Sequence, residues 1–226
     1  MPIPESFRTH WWRVALVVAA VVVACFSTSP FAGLFGLVPI LVWCSLAPSR
    51  RTGLIVGMVL LALLAWFVLP GALDFAGRWV PAPIEVYWLH TTLAAVVCAI
   101  GARRGFLRLF LLVVAGFVVT GGALFAAYES PPAGEGVAPG PAQLRITRDF
   151  ECGSHNCWGV LEATGDGAPE VLREYLAEKN FTPAPPSEIS RGSRFCRSTG
   201  LLVDHEVCAE VRPRGTDAAQ VEWHVN

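Results

Sequence analysis

The stretch LFLLVVAGFVVTGGALFAAY, residues 109–128, decides the architecture of this chain. Its 20 residues carry no charge and, as an α-helix, span about 30 Å, the thickness of the hydrocarbon core of a bilayer. The chain before this stretch is mostly apolar, whereas the chain after it carries charges every few residues. The stretch therefore predicts the last of several membrane crossings and the tether of a polar C-terminal domain.

The composition agrees with a membrane protein. Of the 226 residues, 54% are hydrophobic and 15% are charged, whereas soluble domains carry about 25% charged residues. The net charge of −1 gives no electrostatic reason to expect a nucleic-acid partner. Lys179 is the only lysine beside many arginines, a bias that indicates a GC-rich bacterial genome.

Four more apolar segments precede residues 109–128. Residues 14–49 carry no charge but are too long for one crossing, and the turn-forming residues STSP at 27–30 divide them. Gly53 and Gly57 have a GxxxG spacing, which permits close helix approach but also arises by chance in glycine-rich apolar sequence. The five predicted crossings cover residues 12–26, 31–47, 53–69, 86–102 and 107–128.

Basic residues predict the orientation of these crossings. The short loops on one side hold seven arginines: Arg8, Arg13, Arg50, Arg51, Arg103, Arg104 and Arg108. The short loops on the other side hold only Arg78, four residues after Asp74 and spaced for a local ion pair. The positive-inside rule then predicts a cytoplasmic N-terminus and an extracytoplasmic C-terminal domain in a bacterial inner membrane.

An alternative concerns the start of the chain. Val22-Val23-Ala24-Cys25 follows a basic start and an apolar run, and it resembles a bacterial lipobox. Cleavage there would make Cys25 a lipidated N-terminus. Because another apolar segment follows at once, we favour an uncleaved first crossing.

The chain after the fifth crossing divides into a linker and a domain. Residues 129–141, ESPPAGEGVAPGP, predict a Pro/Gly-rich linker. Residues 142–226 predict a small α+β domain with the order ββαβββ, an antiparallel sheet covered by one helix. The predicted strands are 143–150, 158–164, 193–198, 206–212 and 220–225, the helix is 169–180, and residues 182–190 are a Pro-rich loop.

Four cysteines of this domain, Cys152, Cys157, Cys196 and Cys208, are disulfide candidates in an oxidising compartment. Pairing Cys152 with Cys157 opposes Phe150 to Gly159. Facing Cys196 with Cys208 opposes Arg194 to Glu210. Two alternatives use the same thiols: a zinc site that adds His155 and His205, and a catalytic thiol pair. Neither has the usual CxxC spacing, so we predict disulfides, with no metal and no cofactor.

The remaining candidate is His90, an ionisable residue inside the fourth predicted crossing and a possible intramembrane polar site. The sequence contains no GxSxG, HExxH, P-loop or dinucleotide-binding motif. It therefore predicts a multi-pass α-helical membrane protein whose extracytoplasmic domain binds a protein or envelope partner without catalysis. The alternatives are a small transporter or channel subunit that uses the helices, and an envelope thiol or metal enzyme that uses the outer cysteines.

Overall fold

The structure, a computed structural model, divides into two compact units. The first unit is Met1–Leu73 with Val80–Gly122, and the second is Asp74–Trp79 with Ala123–Asn226. The described residues are 5–27, 29–102, 104–129, 132, 134–153, 157–185 and 192–225, with the backbone alone described at 5–10 and 127–129. Predictions for Arg103 and His155, and for the side chain of Arg8, fall outside the described part of the chain.

Five helices build the apolar part of the chain: α1 (Glu5–Ala24), α2 (Pro30–Leu46), α3 (Arg50–Ala72), α4 (Glu85–Gly101) and α5 (Phe106–Glu129). Among the described residues, two helices are long and apolar enough to cross a bilayer. They are Arg50–Ala72, with a mean hydropathy of 2.5, and Phe106–Ala126, with 2.4. The apolar parts of the other three helices are shorter. The count of five crossings therefore stays a prediction. The predicted combination of helices with an antiparallel sheet is present in the structure.

The first unit exposes many large apolar side chains and buries three polar ones within its apolar core. Leu34 and Ile100 are 67% and 83% exposed, whereas Glu85, His90 and Thr91 are almost completely buried. A water-soluble protein has the opposite distribution. This distribution is typical of a protein whose surroundings are apolar.

The glycine pair in α3 packs against α1. A Cβ atom on Gly53 would overlap the indole of Trp12, and one on Gly57 would overlap the side chain of Leu16. The buried Trp43 indole also donates a hydrogen bond to the Gly53 carbonyl, at 3.0 Å. Both glycines of the GxxxG spacing thus lie in a close helix contact.

The second unit contains six strands and one helix: β1 (Arg145–Cys152), β2 (Cys157–Thr164), α6 (Ala168–Glu178), β3 (Thr182–Ala184), β4 (Ser193–Thr199), β5 (His205–Pro213) and β6 (Ala218–Val225). The sheet order is β1-β2-β6-β5-β4-β3, and all neighbours are antiparallel. The core contains side chains from α6 and from one face of the sheet, among them Leu161, Leu172, Leu176, Val221 and Trp223.

Both predicted hairpin registers are present. Phe150 lies opposite Gly159, and Arg194 lies opposite Glu210. The prediction that residues 182–190 form a loop was wrong at its start, because Thr182–Ala184 is strand β3. This strand lies at the edge of the sheet, where Pro183 is tolerated because an edge strand does not need every backbone N–H.

The helix α6 ends where its sequence provides a cap. Asn180 has a positive φ of 62°, a conformation that asparagine tolerates better than most residues. The Phe181 N–H then donates to the Leu176 carbonyl at 2.9 Å, and both side chains are buried in the core. This cap ends the helix two residues before the predicted boundary and turns the chain into β3.

Candidate functional site

The four outer cysteines form two disulfides, one at the turn between β1 and β2 and one in the middle of the β4–β5 pair. Cys152 pairs with Cys157 at an S–S distance of 2.01 Å, and Cys196 pairs with Cys208 at 2.04 Å. The first links β1 to β2 and the second links β4 to β5. Disulfides persist in oxidising compartments, so this pairing suggests such a compartment for the domain.

The zinc alternative does not fit this arrangement. Within the described part of the chain, the donor atoms of Cys196, Glu206 and Cys208 lie within 4.8 Å of one another. The two sulfur atoms are bonded to each other, however, and zinc ligation requires thiolates. His205, a ligand in that alternative, instead lies beside Glu135, with its Nε2 atom 3.6 Å from a carboxylate oxygen.

A partly buried arginine in β4 organises a charged cluster that the sequence did not indicate. We call it the Arg197 cluster; it contains Asp74, Glu135, Lys179, Arg197 and His205, all in the second unit. Arg197 donates from Nη2 to the Glu135 carbonyl at 2.9 Å and from Nη1 to the Lys179 carbonyl at 3.4 Å. Its Nη1 atom also lies 3.8 Å from a carboxylate oxygen of Asp74. One side chain thus joins three separate segments of chain.

Charges within the cluster are mutually compensated. The Lys179 ammonium contacts the Asp74 carboxylate at 2.6 Å, and this hydrogen bond raises the pKa of Lys179. Burial lowers the pKa of Arg197, although the carboxylates of Asp74 and Glu135 act in the opposite direction. The Arg197 guanidinium also lies 5.1 Å from the ring centre of Phe181, a cation–π distance.

This cluster changes two expectations from the sequence. Asp74 is spaced for a local pair with Arg78, but the structure pairs it with Lys179, 105 residues away. The predicted linker is not wholly free chain, because Val137 is buried in the core of the domain and Glu135 belongs to the cluster. One sequence signal was available: strand alternation places Arg197 on the same face as the core residue Phe195.

The opposite face of the sheet is polar. Arg212 contacts Glu222 at 2.6 Å and Glu210 at 2.9 Å, and the hydrogen bond to Glu210 raises the pKa of Arg212. Arg214 donates to the side chain of Gln220. Charges of both signs alternate on this face, so it presents a mixed polar surface with no single sign of charge.

His90 lies in the core of the first unit. Its ring centre is 5.3 Å from that of Phe67, and its Nδ1 atom is buried without a hydrogen-bond partner among the described residues. Glu85, one and a half turns earlier, accepts a hydrogen bond from the Ala82 N–H at 2.8 Å. Two ionisable side chains of α4 are therefore buried in an otherwise apolar unit.

Comparison with known proteins assigns no family to this chain: no family model matches its sequence, and no curated protein or solved structure matches it significantly. The function therefore has to be argued from the geometry alone.

Proposed function

We propose that this chain is a multi-pass bacterial membrane protein that presents its disulfide-linked sheet domain outside the cytoplasm as a non-catalytic interaction module. The proposal rests on which segments of the chain make up the second unit. The segment Asp74–Trp79, which follows α3, belongs to the same compact unit as the C-terminal segment Ala123–Asn226. Segments that fold into one unit lie on the same side of a membrane.

This arrangement implies an even number of membrane crossings between the two segments. Between Trp79 and the first strand of the sheet, which begins at Arg145, the chain contains the helices α4 and α5. A chain that leaves one side of a membrane and returns to it crosses an even number of times. Because α5 is long and apolar enough to cross, we propose α4 as the second crossing. Its 17 residues meet the lower limit of about 17 for a spanning helix.

The orientation follows from the charges and the cysteines. The first turns of α3 and α5, with the loop before α5, carry Arg50, Arg51, Arg104 and Arg108, which favours the cytoplasm for that side. The opposite side then holds the second unit with its two disulfides. The short helices α1 and α2 complete five crossings with a cytoplasmic N-terminus.

The second unit is suited to binding rather than to catalysis. Its four cysteines are bonded in pairs, and the charged residues of its outer sheet face pair with one another. The partner that best fits a mixed polar face beside a membrane is another protein or an envelope component.

Cysteine labelling tests the topology. In a full-length chain with Cys25, Cys44 and Cys98 changed to Ala, we expect Asp149→Cys to react with a membrane-impermeant maleimide in intact cells. Arg51→Cys should react only after permeabilisation. Labelling of both positions from the same side would contradict an odd number of crossings between them.

Photocrosslinking tests the binding role. A photoreactive amino acid at Glu162, on the polar face of the sheet, is expected to give a discrete adduct in cells. The same probe at Val118, a 68% exposed position of α5, serves as the lipid-facing control. Absence of an adduct from several positions on the polar face would contradict an interaction module.

His90 supports a second candidate, a small transporter or channel subunit. Its buried Nδ1 atom, which has no hydrogen-bond partner in the part of the chain that the structure describes, favours this function, because ionisable groups inside membranes often line pathways for ions or protons. His90→Ala should then abolish a measured flux or a growth phenotype at an unchanged protein level. An unchanged phenotype would leave the binding module as the better proposal.

A further inference from the structure

We propose that the second unit carries a short apolar tip that contacts the headgroup region of the bilayer, formed by Phe75, Trp79, Leu202 and Val203. This inference rests on the proposed function, because it requires the second unit to lie beside a membrane. It assigns a binding surface to the second unit and names the partner that this surface fits, a lipid bilayer.

Among the described residues of the second unit outside α5, the tip contains most of the exposed large apolar side chains. Leu202 is 70% exposed, Trp79 52%, Phe75 45% and Val203 44%. The two others, Phe150 and Val225, belong to strands β1 and β6. Exposed apolar side chains that cluster in one place mark an interaction surface more strongly than scattered ones.

Backbone contacts fasten the two parts of the tip together. The Gly77 N–H donates to the Ser198 carbonyl at 2.9 Å, and Gly77 forms a parallel β-bridge with Thr199. Phe75 and Trp79 flank Gly77 by two residues on either side, and their rings lie 5.6 Å apart. The turn that carries Leu202 begins directly after the end of β4, so both aromatic residues lie near it.

The turn itself is held in shape. Gly200 has a φ of 116°, a conformation that favours glycine, and a Cβ atom there would overlap the Val203 carbonyl. The segment that carries Phe75 and Trp79 is held at Asp74, whose backbone carbonyl accepts a hydrogen bond from the Asn180 side chain at 3.0 Å. The exposed side chains therefore project from fixed backbone.

Chain connectivity identifies the bilayer as the partner. Asp74 is two residues from Ala72, the last residue of the membrane-capable helix α3, so it lies within about 7 Å of the end of that helix. Tryptophan is enriched at membrane interfaces, where an amphipathic ring contacts both acyl chains and headgroups. The exposed Arg78 between Gly77 and Trp79 suits lipid phosphates.

The experiment measures lipid contact at the tip in full-length protein in nanodiscs. The environment-sensitive fluorophore NBD is attached to Leu202→Cys in the chain that lacks Cys25, Cys44 and Cys98. Lipids that carry a nitroxide near the headgroup are expected to quench this fluorophore on the order of twofold or more, because interfacial groups lie within about 10 Å of the acyl boundary. Trp79→Cys provides a second position and should give the same result.

Phe150→Cys is the matched control, since Phe150 is an exposed apolar residue of the same unit outside the tip. We expect iodide in the buffer to quench NBD at this control and nitroxide lipids to leave it unchanged. Equal quenching by iodide at the tip and at the control would overturn the proposal. Protection from iodide without quenching by lipid would also overturn it, because a protein partner would then cover the tip.

The labelling of Asp149→Cys separates this inference from the proposed function. If Asp149→Cys reacts from outside the cell while the tip shows no lipid quenching, only the apolar tip is wrong. If Asp149→Cys reacts only from the cytoplasm, the proposed topology is itself wrong.

Discussion

In the helical unit Glu85 and His90 are buried while Ile100 is 83% exposed, whereas in the sheet unit Trp223 is buried and Glu222 lies on the polar face. The two units therefore differ in how many large apolar side chains they expose and in whether they bury ionisable ones. Burial of apolar surface in water stabilises the sheet unit. In the membrane that we propose for it, the helical unit cannot gain stability in this way, so its helices would depend on close packing between backbones.

The two units also use glycine and cysteine differently. In the helical unit, Gly53, Gly57 and Gly116 provide space where helices contact each other. In the sheet unit, disulfides close both hairpins that contain cysteines. A domain of about 85 residues buries only a modest core. Disulfides therefore contribute an important part of its stability. Each difference can be tested with a substitution that should affect one unit and leave the other unchanged.

The largest effect is expected for Trp223→Ala in the core of the sheet unit. Trp223 is 1% exposed, and truncation of a buried tryptophan costs about 3–5 kcal/mol of unfolding free energy. Pulse proteolysis of full-length protein in urea measures this loss. Phe150→Ala, at a 56% exposed aromatic residue of β1, should change the unfolding free energy by no more than about 0.5 kcal/mol. Equal losses for both variants would contradict the assigned core.

Reduction of the disulfides should destabilise the sheet unit alone. Loss of Cys196–Cys208, which spans 12 residues, should cost about 3 kcal/mol, and loss of Cys152–Cys157, which spans 5, about 2 kcal/mol. The expected result is faster proteolysis of the sheet unit in reductant at an unchanged helical circular dichroism signal. A simultaneous loss of helical signal would show that the two units unfold together.

Gly116→Ala should destabilise the helical unit by about 1–3 kcal/mol, because a Cβ atom there would overlap the Thr91 hydroxyl and the Tyr87 carbonyl. Gly121→Ala and Gly122→Ala are matched controls in the same helix, where a Cβ atom meets nothing within 4 Å. These controls should be neutral or slightly stabilising, since alanine favours helix more than glycine does. Thermal unfolding in detergent micelles distinguishes the three variants. Equal destabilisation of all three would argue against a contact between α4 and α5 at Gly116.

The smallest effect concerns acid stability of the Arg197 cluster. Burial raises the pKa of Glu135, but the nearby His205 and the charge of Arg197 outweigh it and hold this pKa below its usual value of 4.5. A carboxylate with a lowered folded-state pKa stabilises the protein above its unfolded pKa. That stability is lost as the pH falls through the folded value.

We therefore expect the free energy of unfolding of the sheet unit to fall by at most about 1 kcal/mol below about pH 4.5. The effect is small because the Glu135 and His205 side chains are each 20% exposed, so water screens their charges in part. Glu135→Gln should remove this dependence, whereas Glu170→Gln, at a side chain 71% exposed, should retain it. Urea unfolding at several pH values measures the difference. An unchanged acid dependence in Glu135→Gln would exclude this pair as its source.

Part of this architecture was predictable because its signals are local. Hydrophobic runs indicated the five apolar helices, and strand alternation with the cysteine positions indicated both hairpin registers. The strand β3 was missed because its proline favours a loop unless an edge position accepts it. The Arg197 cluster was missed because Asp74 and Lys179 are 105 residues apart, and neither has a local pattern that points to the other.

The sequence by itself determined which segments are apolar, which are polar, and which neighbouring strands pair, because these properties depend on residues a few positions apart. Only the tertiary structure decided that β6 lies between β2 and β5, that part of the predicted linker packs into the domain, and that the segment after α3 belongs to the sheet unit. Those outcomes depend on long-range burial and charge compensation. Their energies exist only once distant segments have come together.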